Sequence, residues 1–315
     1  MGNKDLTALY NRQIQEFPLA RNNFQALEQV ICRDIPFPHI QMHVQYNPAR
    51  IISTNAKIDQ TTLRKRNCFL CPSHMPEEQK GIPYGEKYNI YINPYPIFHE
   101  HFTVPSNEHT PQLIAGRFTD LLDIARTFPA YTVFYNGPAS GASAPDHFHF
   151  QIVPRHIMPL EQDTTNKQLQ EIITQNNHIT LYRLKNYIRE VFILQSPHKE
   201  HLQHLFDRLQ TAIGQVITYE QEPRFNLLSW YSDFQWTVAI FPRKCWRPRQ
   251  FFLEGNKQIM FSPGCVDMAG LIIAPRKEDY ERYTPELLTD LFNQVSINTT
   301  ELEAIIFHLK QKLSL

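Results

Sequence analysis

The chain has 315 residues, of which 42% are hydrophobic, so it can bury a sizeable core as one large or two small domains. Its 31 basic and 31 acidic residues give a formal net charge of +0, which argues against a broad basic surface for nucleic acids. No apolar run is long enough to cross a membrane, and the first residues contain no apolar signal region. We therefore expect a cytoplasmic protein without nucleic-acid or membrane partners.

The first half of the chain alternates between helical and extended patterns. The expected elements, in chain order, are a helix over 6–33 interrupted at Pro18, an extended segment over 36–52, strands over 88–92 and 101–104, a helix over 110–127 and a strand over 131–135. This order predicts an α+β fold with a largely antiparallel sheet flanked by helices.

The next predicted strand carries the pattern His147-Phe148-His149-Phe150-Gln151. Because successive side chains of a strand point to opposite faces, the two histidines and the glutamine share one face. The phenylalanines on the other face can bury against a core. Imidazole can act as a nucleophile, a metal ligand or a proton shuttle. A half-buried strand whose solvent-exposed face carries histidines explains the pattern equally well.

The segment 136–146 before this strand is rich in glycine, serine and alanine. Small residues let backbone N–H groups approach an anion closely, although an ordinary surface loop has the same composition. Together with a two-histidine strand, the segment favours a phosphate-binding loop. The candidate phosphate contacts are Asn136, Ser140, Gly141 and Ser143.

Residues 136–151 resemble the active-site segment of the nucleotidyltransferase branch of the histidine-triad superfamily. This branch has His-x-His-x-Gln where the hydrolase branch has a third histidine. It includes galactose-1-phosphate uridylyltransferase, diadenosine tetraphosphate phosphorylase and the GDP-hexose phosphorylases. The Ser-Gly-Ala-Ser run is most similar to the dinucleotide phosphorylase, whereas residues 267–280 are more similar to the GDP-hexose phosphorylases. The motifs therefore indicate the superfamily but not the substrate.

The chain also contains one Cys-x-x-Cys pair, which by itself is ambiguous between zinc binding, redox chemistry and chance. The resemblance implies a Zn²⁺ site, because zinc-containing members of the branch complete such a pair with two histidines. The implied ligands are Cys68, Cys71, His109 and His147. Four protein ligands leave no open position, so this zinc is expected to be structural. The competing histidines are His74, His99 and His101, the last of which we expect to be packed or hydrogen-bonded.

The family transfers a nucleoside monophosphate through a covalent nucleotidyl-histidine. Carried to this sequence, the resemblance makes His149 the nucleophile and Gln151 an amide donor to the phosphoryl group. A neutral imidazole needs no base to attack phosphorus, and glutamine withholds a titratable proton donor, which favours transfer over hydrolysis. The nucleotidyl group then passes to inorganic phosphate or to a sugar 1-phosphate.

The second half of the chain repeats parts of the first. Residues 225–228 echo 88–91, residues 236–238 echo 102–104, and residues 266–276 echo 145–155, although Asp and Pro-Arg flank strands often enough for a chance match. The resemblance to transferases with two fused triad-fold halves favours duplication. We expect a half over 1–160 with the zinc site and the His-x-His-x-Gln motif, and a degenerate half over 161–315. In the echo, Met268, Gly270 and Ile272 take the places of His147, His149 and Gln151.

The expected activity is that of a nucleotidyltransferase, most simply a phosphorylase of a nucleoside diphosphate sugar of the GDP-hexose type or of a dinucleoside polyphosphate. The alternatives are nucleotidyl exchange with a sugar 1-phosphate, hydrolysis, and nucleotide binding without turnover. The oligomeric state stays open, with a homodimer among the alternatives. The residues whose roles stay open are Arg50, Arg155, Arg243, Arg276, Lys277 and Tyr280.

Overall fold

The computed structural model describes residues 1–55 and 59–313, and these residues form eleven α-helices and thirteen strands. The helices are α1 (Asn3–Glu16), α2 (Pro18–Gln25), α3 (Ile51–Thr54), α4 (Gln60–Lys65), α5 (Phe118–Thr127), α6 (Pro159–Asp163), α7 (Lys199–Val216), α8 (Cys265–Met268), α9 (Lys277–Arg282), α10 (Pro285–Val295) and α11 (Thr299–Leu313). The strands are β1 (Ile31–Asp34), β2 (His43–Tyr46), β3 (Ile82–Tyr84), β4 (Tyr88–Ile92), β5 (Phe102–Pro105), β6 (Tyr131–Asn136), β7 (His149–Pro154), β8 (Gln170–Gln175), β9 (Thr180–Leu184), β10 (Phe192–Ser196), β11 (Phe225–Ser232), β12 (Gln235–Pro242) and β13 (Leu271–Ala274).

Ten of these strands form one sheet in the order β3-β4-β5-β7-β6-β11-β12-β10-β9-β8. The pairs within it are antiparallel. A second sheet of three strands has the order β1-β2-β13, with a parallel pair between β2 and β13. The expected α+β fold with an antiparallel sheet flanked by helices is therefore confirmed.

The large sheet contains two copies of one five-stranded arrangement. In the first copy the order is β3-β4-β5-β7-β6, with α5 between β5 and β6 along the chain. In the second copy the order is β8-β9-β10-β12-β11, with α7 between β10 and β11. The copies join through β6 and β11, where Asn136 faces Asn226 in register. The duplicated fold that the sequence suggested is thus present, whereas the boundary between residues 160 and 161 stays a prediction.

The duplication follows a different alignment from the one that the sequence suggested. By strand order, the counterpart of β7 is β12, and each of the two strands ends at a proline that an arginine follows. Superposing these ends places Thr237 and Ala239 at the positions of His149 and Gln151.

The predicted equivalence of Met268, Gly270 and Ile272 with the histidine strand is therefore wrong. These residues lie in and around β13, which belongs to the small sheet and pairs with β2. The error has a physical cause: a short apolar strand flanked by Asp and Pro-Arg does not encode the sheet that it joins, since strand pairing is non-local.

Two helix predictions in the first half were too long. The first helix ends at Glu16, and Pro18 begins α2, where a missing N–H is tolerated. Residues 31–34 form β1, and the segment 36–52 is extended only in part, since β2 is followed by the short helix Pro48–Arg50 and by α3.

The helix expected over 110–127 begins only at Phe118. The backbone of the preceding residues bonds to the histidine strand instead, as Phe148 N donates to Thr110 O at 2.7 Å. This early segment therefore supports the strand from its side.

The predicted strand with the two-histidine pattern begins only at His149, because His147 and Phe148 precede β7. Phe148 and Phe150 anchor this segment to the main core. Phe148 and Phe150 are fully buried, and their rings meet edge to face with centroids 4.8 Å apart. Burying side chains of this size contributes about 1.5–3 kcal/mol each. The opposite face of β7 is thereby held toward the functional site.

Helices long and apolar enough to cross a lipid bilayer are absent from the described residues.

Candidate active site and metal site

A cavity of about 580 Å³ lies against the polar face of β7, within the range of about 300–1,000 Å³ that is usual for small-molecule sites. His149 and Gln151 line it from the strand, and the loop after β6 contributes Gly141 and Ser143. Residues 264–267 of the second half close another side. The site is therefore built by both halves of the chain.

His149 is held as a neutral ring of defined tautomer. Its Nδ1 lies 2.9 Å from the backbone oxygen of His147, and because a carbonyl only accepts, Nδ1 carries the hydrogen. Burial lowers the pKa of His149 to about 4. The other nitrogen, Nε2, is therefore an unprotonated lone-pair donor at neutral pH.

The backbone of His149 is fixed by a glutamine that the sequence did not single out. The pairing of β7 with β6 extends only to Gln151 opposite Phe134, and Gln112 bridges the two strands beyond that point. Its Oε1 accepts from His149 N at 2.7 Å, and its Nε2 donates to His149 O at 2.9 Å and to Asn136 O at 3.0 Å. No sequence pattern marks this contact, because it joins residues that are 37 positions apart.

Gln151 is hydrogen-bonded to a buried histidine. Its Oε1 lies 2.8 Å from Nε2 of His101, which is fully buried just before β5. The expectation that His101 is packed and hydrogen-bonded is therefore confirmed, although it lies outside the strand that we assigned to it.

Three of the four candidate phosphate contacts line the cavity, and the fourth does not. Asn136, Gly141 and Ser143 line the cavity, whereas Ser140 is fully buried and its backbone oxygen accepts from Asn226 at 2.6 Å. The side-chain oxygen of Asn136 accepts from Asn226 Nδ2 at 2.8 Å and from Cys265 N at 2.7 Å. Asn136 thus ties the loop to the second half.

Gly141 lies where the loop meets the second half most closely. Its φ is +98°, and a Cβ on it would lie 2.6 Å from the Cα of Gly264. Both the left-handed backbone and the close approach require a glycine.

Three arginines line the cavity, of which the sequence had marked only Arg50 and left its role open. Arg50 donates to Tyr95 O at 2.5 Å, and although burial lowers its pKa to about 10, it stays charged at neutral pH. Arg247 stacks on Trp246, with its guanidinium carbon 3.7 Å from the ring centroid. Arg66 pairs with Asp146. Only the tertiary structure brings these cations to one cavity.

The other positions with open roles have protein partners. Arg243 is fully buried and donates to Asn226 Oδ1 at 2.8 Å. Arg155 pairs with Glu161 at 2.9 Å, Arg276 with Asp279 at 2.8 Å, and Lys277 with Glu281 at 3.9 Å. The ring of Tyr280 lies under Arg33 at 5.2 Å.

The four implied zinc ligands come together beside the loop. One ligand atom from each of them lies within 4.8 Å of all the others, and the residues are Cys68, Cys71, His109 and His147. The sulfur–nitrogen distances include 3.3 Å from Cys68 to His147 and 3.2 Å from Cys71 to His109. A tetrahedral zinc with ordinary bond lengths separates such atoms by about 3.6 Å. The residues therefore fit a metal ion.

The surroundings of the cluster also suit a metal. His147 Nε2 lies 2.9 Å from Ser106 O, so it donates there and Nδ1 keeps its lone pair for the cluster. Nε2 of His109 faces Asp146 at 3.9 Å. Such outer partners are typical of metal-binding histidines.

Comparison with family models divides the chain into two parts. Residues 9–154 match a domain of unknown function, DUF4922, and residues 163–315 match the model described as GDPGP1-like, C-terminal domain. The comparison with curated proteins gave no match.

Among solved structures, the chain is similar to yeast Ap4A phosphorylase Apa2, with 17% identity over 89% of this chain and 96% of that chain and a TM-score of 0.62. The same yeast protein in complex with AMP gives 18% identity, coverage of 91% and 97%, and a TM-score of 0.59. The same yeast protein in complex with Ap4A gives 17% identity over 89% of this chain and 96% of that chain, with a TM-score of 0.59. These likenesses establish a shared fold.

Proposed function

We propose that this chain is a member of the nucleotidyltransferase branch of the histidine-triad superfamily, as the match of its second half and its fold support, and that it is a phosphorylase acting through a covalent nucleotidyl-histidine at His149. Its substrate is a nucleoside diphosphate sugar of the GDP-hexose type or a dinucleoside polyphosphate, and its acceptor is inorganic phosphate. The observation that carries the proposal is the neutral ring of His149, with Nδ1 hydrogen-bonded and Nε2 unprotonated, in a cavity of about 580 Å³.

Two comparisons support these substrate classes. The match of residues 163–315 to a GDPGP1-like C-terminal domain supports the nucleotide sugar. The fold shared with yeast Ap4A phosphorylase supports the dinucleoside polyphosphate. Both classes contain a phosphoanhydride bond, so one mechanism serves either.

In the first step Nε2 of His149 attacks the α-phosphorus. A P–N bond forms as the P–O bond to the leaving phosphate breaks, and the electron pair leaves on that oxygen. Because the second pKa of a phosphate is about 6, departure needs little proton transfer. The ring becomes positively charged, and its Nδ1–H bond to the carbonyl of His147 stabilises that charge.

In the second step an oxygen of inorganic phosphate attacks the same phosphorus. The P–N bond breaks, its electron pair returns to Nε2, and a nucleoside diphosphate is released. Charge on the non-bridging oxygens is stabilised by preorganised donors. In this proposal those donors are the amide of Gln151, the guanidinium of Arg50, and the loop of Asn136, Gly141 and Ser143, which line the cavity together with His149.

The Cys/His cluster holds one Zn²⁺ in this proposal. Its ligands are Cys68, Cys71, His109 and His147, and the last lies two residues before the nucleophile. Four protein ligands leave no open coordination position, so the zinc supplies rigidity and takes no part in bond making.

The test is a substrate screen with a covalent readout. GDP-, UDP- and ADP-sugars and dinucleoside polyphosphates, each labelled at the α-phosphate, are incubated with the protein with and without inorganic phosphate. We expect phosphate-dependent product, and an acid-labile, base-stable label on the protein that His149→Ala loses and His99→Ala, at an exposed histidine, keeps.

Other outcomes would contradict the proposal in distinct ways. Product that forms equally without phosphate would indicate a hydrolase, and product that needs a sugar 1-phosphate would indicate an exchange transferase. Binding of nucleotides without label or product would indicate a non-catalytic protein.

A further inference from the structure

We infer that His101 is a positioning residue that acts through Gln151: it fixes the glutamine amide so that its NH₂ group faces the reacting phosphoryl group. The inference rests on the proposed function, because an amide donor at this point is useful only if a phosphoryl group is bound there. Sequence reasoning gave His101 no part in the chemistry.

The side chain of His101 lies fully buried between two phenylalanines. Its ring centroid is 6.5 Å from that of Phe98 and 6.3 Å from that of Phe134. Each of its ring nitrogens contacts one polar group at short range. Nδ1 is 3.2 Å from the backbone N of Ile97, and Nε2 is 2.8 Å from Oε1 of Gln151.

These two contacts determine the tautomer. A backbone N–H can only donate, so the Nδ1 that faces Ile97 must be the unprotonated nitrogen. In a neutral imidazole the hydrogen is then on Nε2, which donates to Gln151 Oε1. Asn93 Nδ2 also lies near Nε2, but at 3.4 Å, which is longer than an ordinary hydrogen bond of this kind.

The ring of His101 also stays neutral, so that only one of its two nitrogens carries a hydrogen. Burial and the nearby charge of Arg50 lower the pKa of His101 to about 3. A doubly protonated ring would in addition set a second N–H against the N–H of Ile97. The arrangement is therefore the same throughout the pH range in which the protein is expected to work.

The orientation of Gln151 follows from the tautomer of His101. If the amide of Gln151 were flipped, its NH₂ group would face the Nε2–H of His101, and two donors would meet in a buried site. The oxygen must therefore point to His101 and the NH₂ group away from it. Since Gln151 lines the cavity beside His149, its two hydrogens are available to a phosphoryl oxygen in the cavity.

The kinetic test is a double-mutant cycle between the two residues. His101→Leu removes both contacts, whereas His101→Gln keeps an amide that can donate to Gln151. We expect His101→Leu to lower kcat by about 10- to 100-fold with little change in KM, which is less than the loss of a whole preorganised donor. His101→Gln should recover most of that loss. In the Gln151→Ala background, His101→Leu should lower kcat by less than about threefold.

A merely structural role would give a different result, because the loss on His101→Leu would then persist in full in the Gln151→Ala background. His99→Leu is the matched control, since this exposed histidine lies two residues away. Additive losses, or a His101→Leu enzyme with unchanged kcat, would overturn the inference. A wild-type protein that transfers no nucleotide from any substrate in the screen would overturn the proposed function itself.

A second measurement does not depend on turnover, and it is read from the wild-type protein. In wild-type protein labelled with ¹⁵N-histidine, the His101 signals are those that His101→Gln loses. We expect a neutral ring with the hydrogen on Nε2 between pH 6 and 8. A hydrogen on Nδ1, or a charged ring in this range, would overturn the inference.

Discussion

The two five-stranded copies share a strand order but differ at the strand next to their common edge. In the first copy, β7 presents His149 and Gln151 to a cavity. In the second, β12 has Thr237 and Ala239 at these positions, and both are buried. The hydroxyl oxygen of Thr237 accepts a hydrogen bond from Nε2 of Gln195 at 3.2 Å.

This difference shows how a fold can be kept without its chemistry. On this face of the second copy, Ala239 and Phe241 pack into a hydrophobic core, while residues 264–267, which follow the copy along the chain, contribute to the cavity of the first. Among the described residues, the Cys/His cluster also belongs to the first copy alone. Both copies therefore contribute strands to the sheet, but the proposed reacting groups come from one.

The largest expected effect separates the two copies directly. His149→Ala should lower turnover by about 10⁴-fold or more, because the nucleophile is removed. Thr237→Ala, at the matching position of the second copy, should change it by less than about twofold. Both are measured by phosphorolysis of the best substrate in the screen, and His149→Gly with added imidazole should regain part of the activity. Comparable losses from the two alanine variants would refute the assignment of chemistry to one copy.

The second prediction concerns the zinc ion that we propose for the first copy. Protein purified without chelator should contain about one zinc per chain, and Cys68→Ser or Cys71→Ser should lose it. Loss should lower the free energy of unfolding by several kcal/mol, since metal binding is coupled to folding. Elemental analysis and thermal unfolding are the measurements, with Cys245→Ser at an exposed free cysteine as the control. Fully folded protein that contains no metal would contradict the prediction.

The third prediction concerns the contact between the loop after β6 and the second half. Gly141→Ala should destabilise the protein by about 2–4 kcal/mol, because a left-handed backbone and a clash with Gly264 combine. Gly116→Ala provides the control, as its φ is +71° but a Cβ there has open space; it should cost only about 1 kcal/mol. Chemical denaturation measures both, and equal losses would show that the contact with Gly264 is unimportant.

The smallest expected effect is a pH dependence of stability at the join of the two copies. Glu222 of the second half accepts from Ile114 N at 2.9 Å and is bonded to Tyr135 of the first, and burial raises its pKa to about 7. Because the folded-state pKa lies above the unfolded value, this stabilisation is complete below about pH 4.5 and is lost as the pH rises through about 7.

Glu222→Gln should therefore flatten the change in unfolding free energy between these pH values, which we expect to be at most about 3 kcal/mol. Denaturation curves at a series of pH values give the measurement. Glu220→Gln, at an exposed residue two positions away, should leave the dependence of the unfolding free energy on pH as it is in the wild type. An unchanged slope in Glu222→Gln would show that another group titrates.

The sequence by itself determined the local features of this protein. The alternation from Phe148 to Gln151 separated core from cavity correctly, because side-chain alternation along an extended chain depends only on the local backbone. His147 lies before β7 and is buried in the Cys/His cluster instead of lining the cavity. The four metal-binding candidates were also identified by residue type and resemblance, and they meet in space.

The tertiary structure alone decided how distant segments meet. It placed β13 in the small sheet, set Gln112 against the backbone of His149, and joined His101 to Gln151 across 50 residues. Arg247 likewise reaches the cavity from the second half. Such contacts depend on strand pairing and loop packing between remote parts of the chain, which no local pattern of residues encodes.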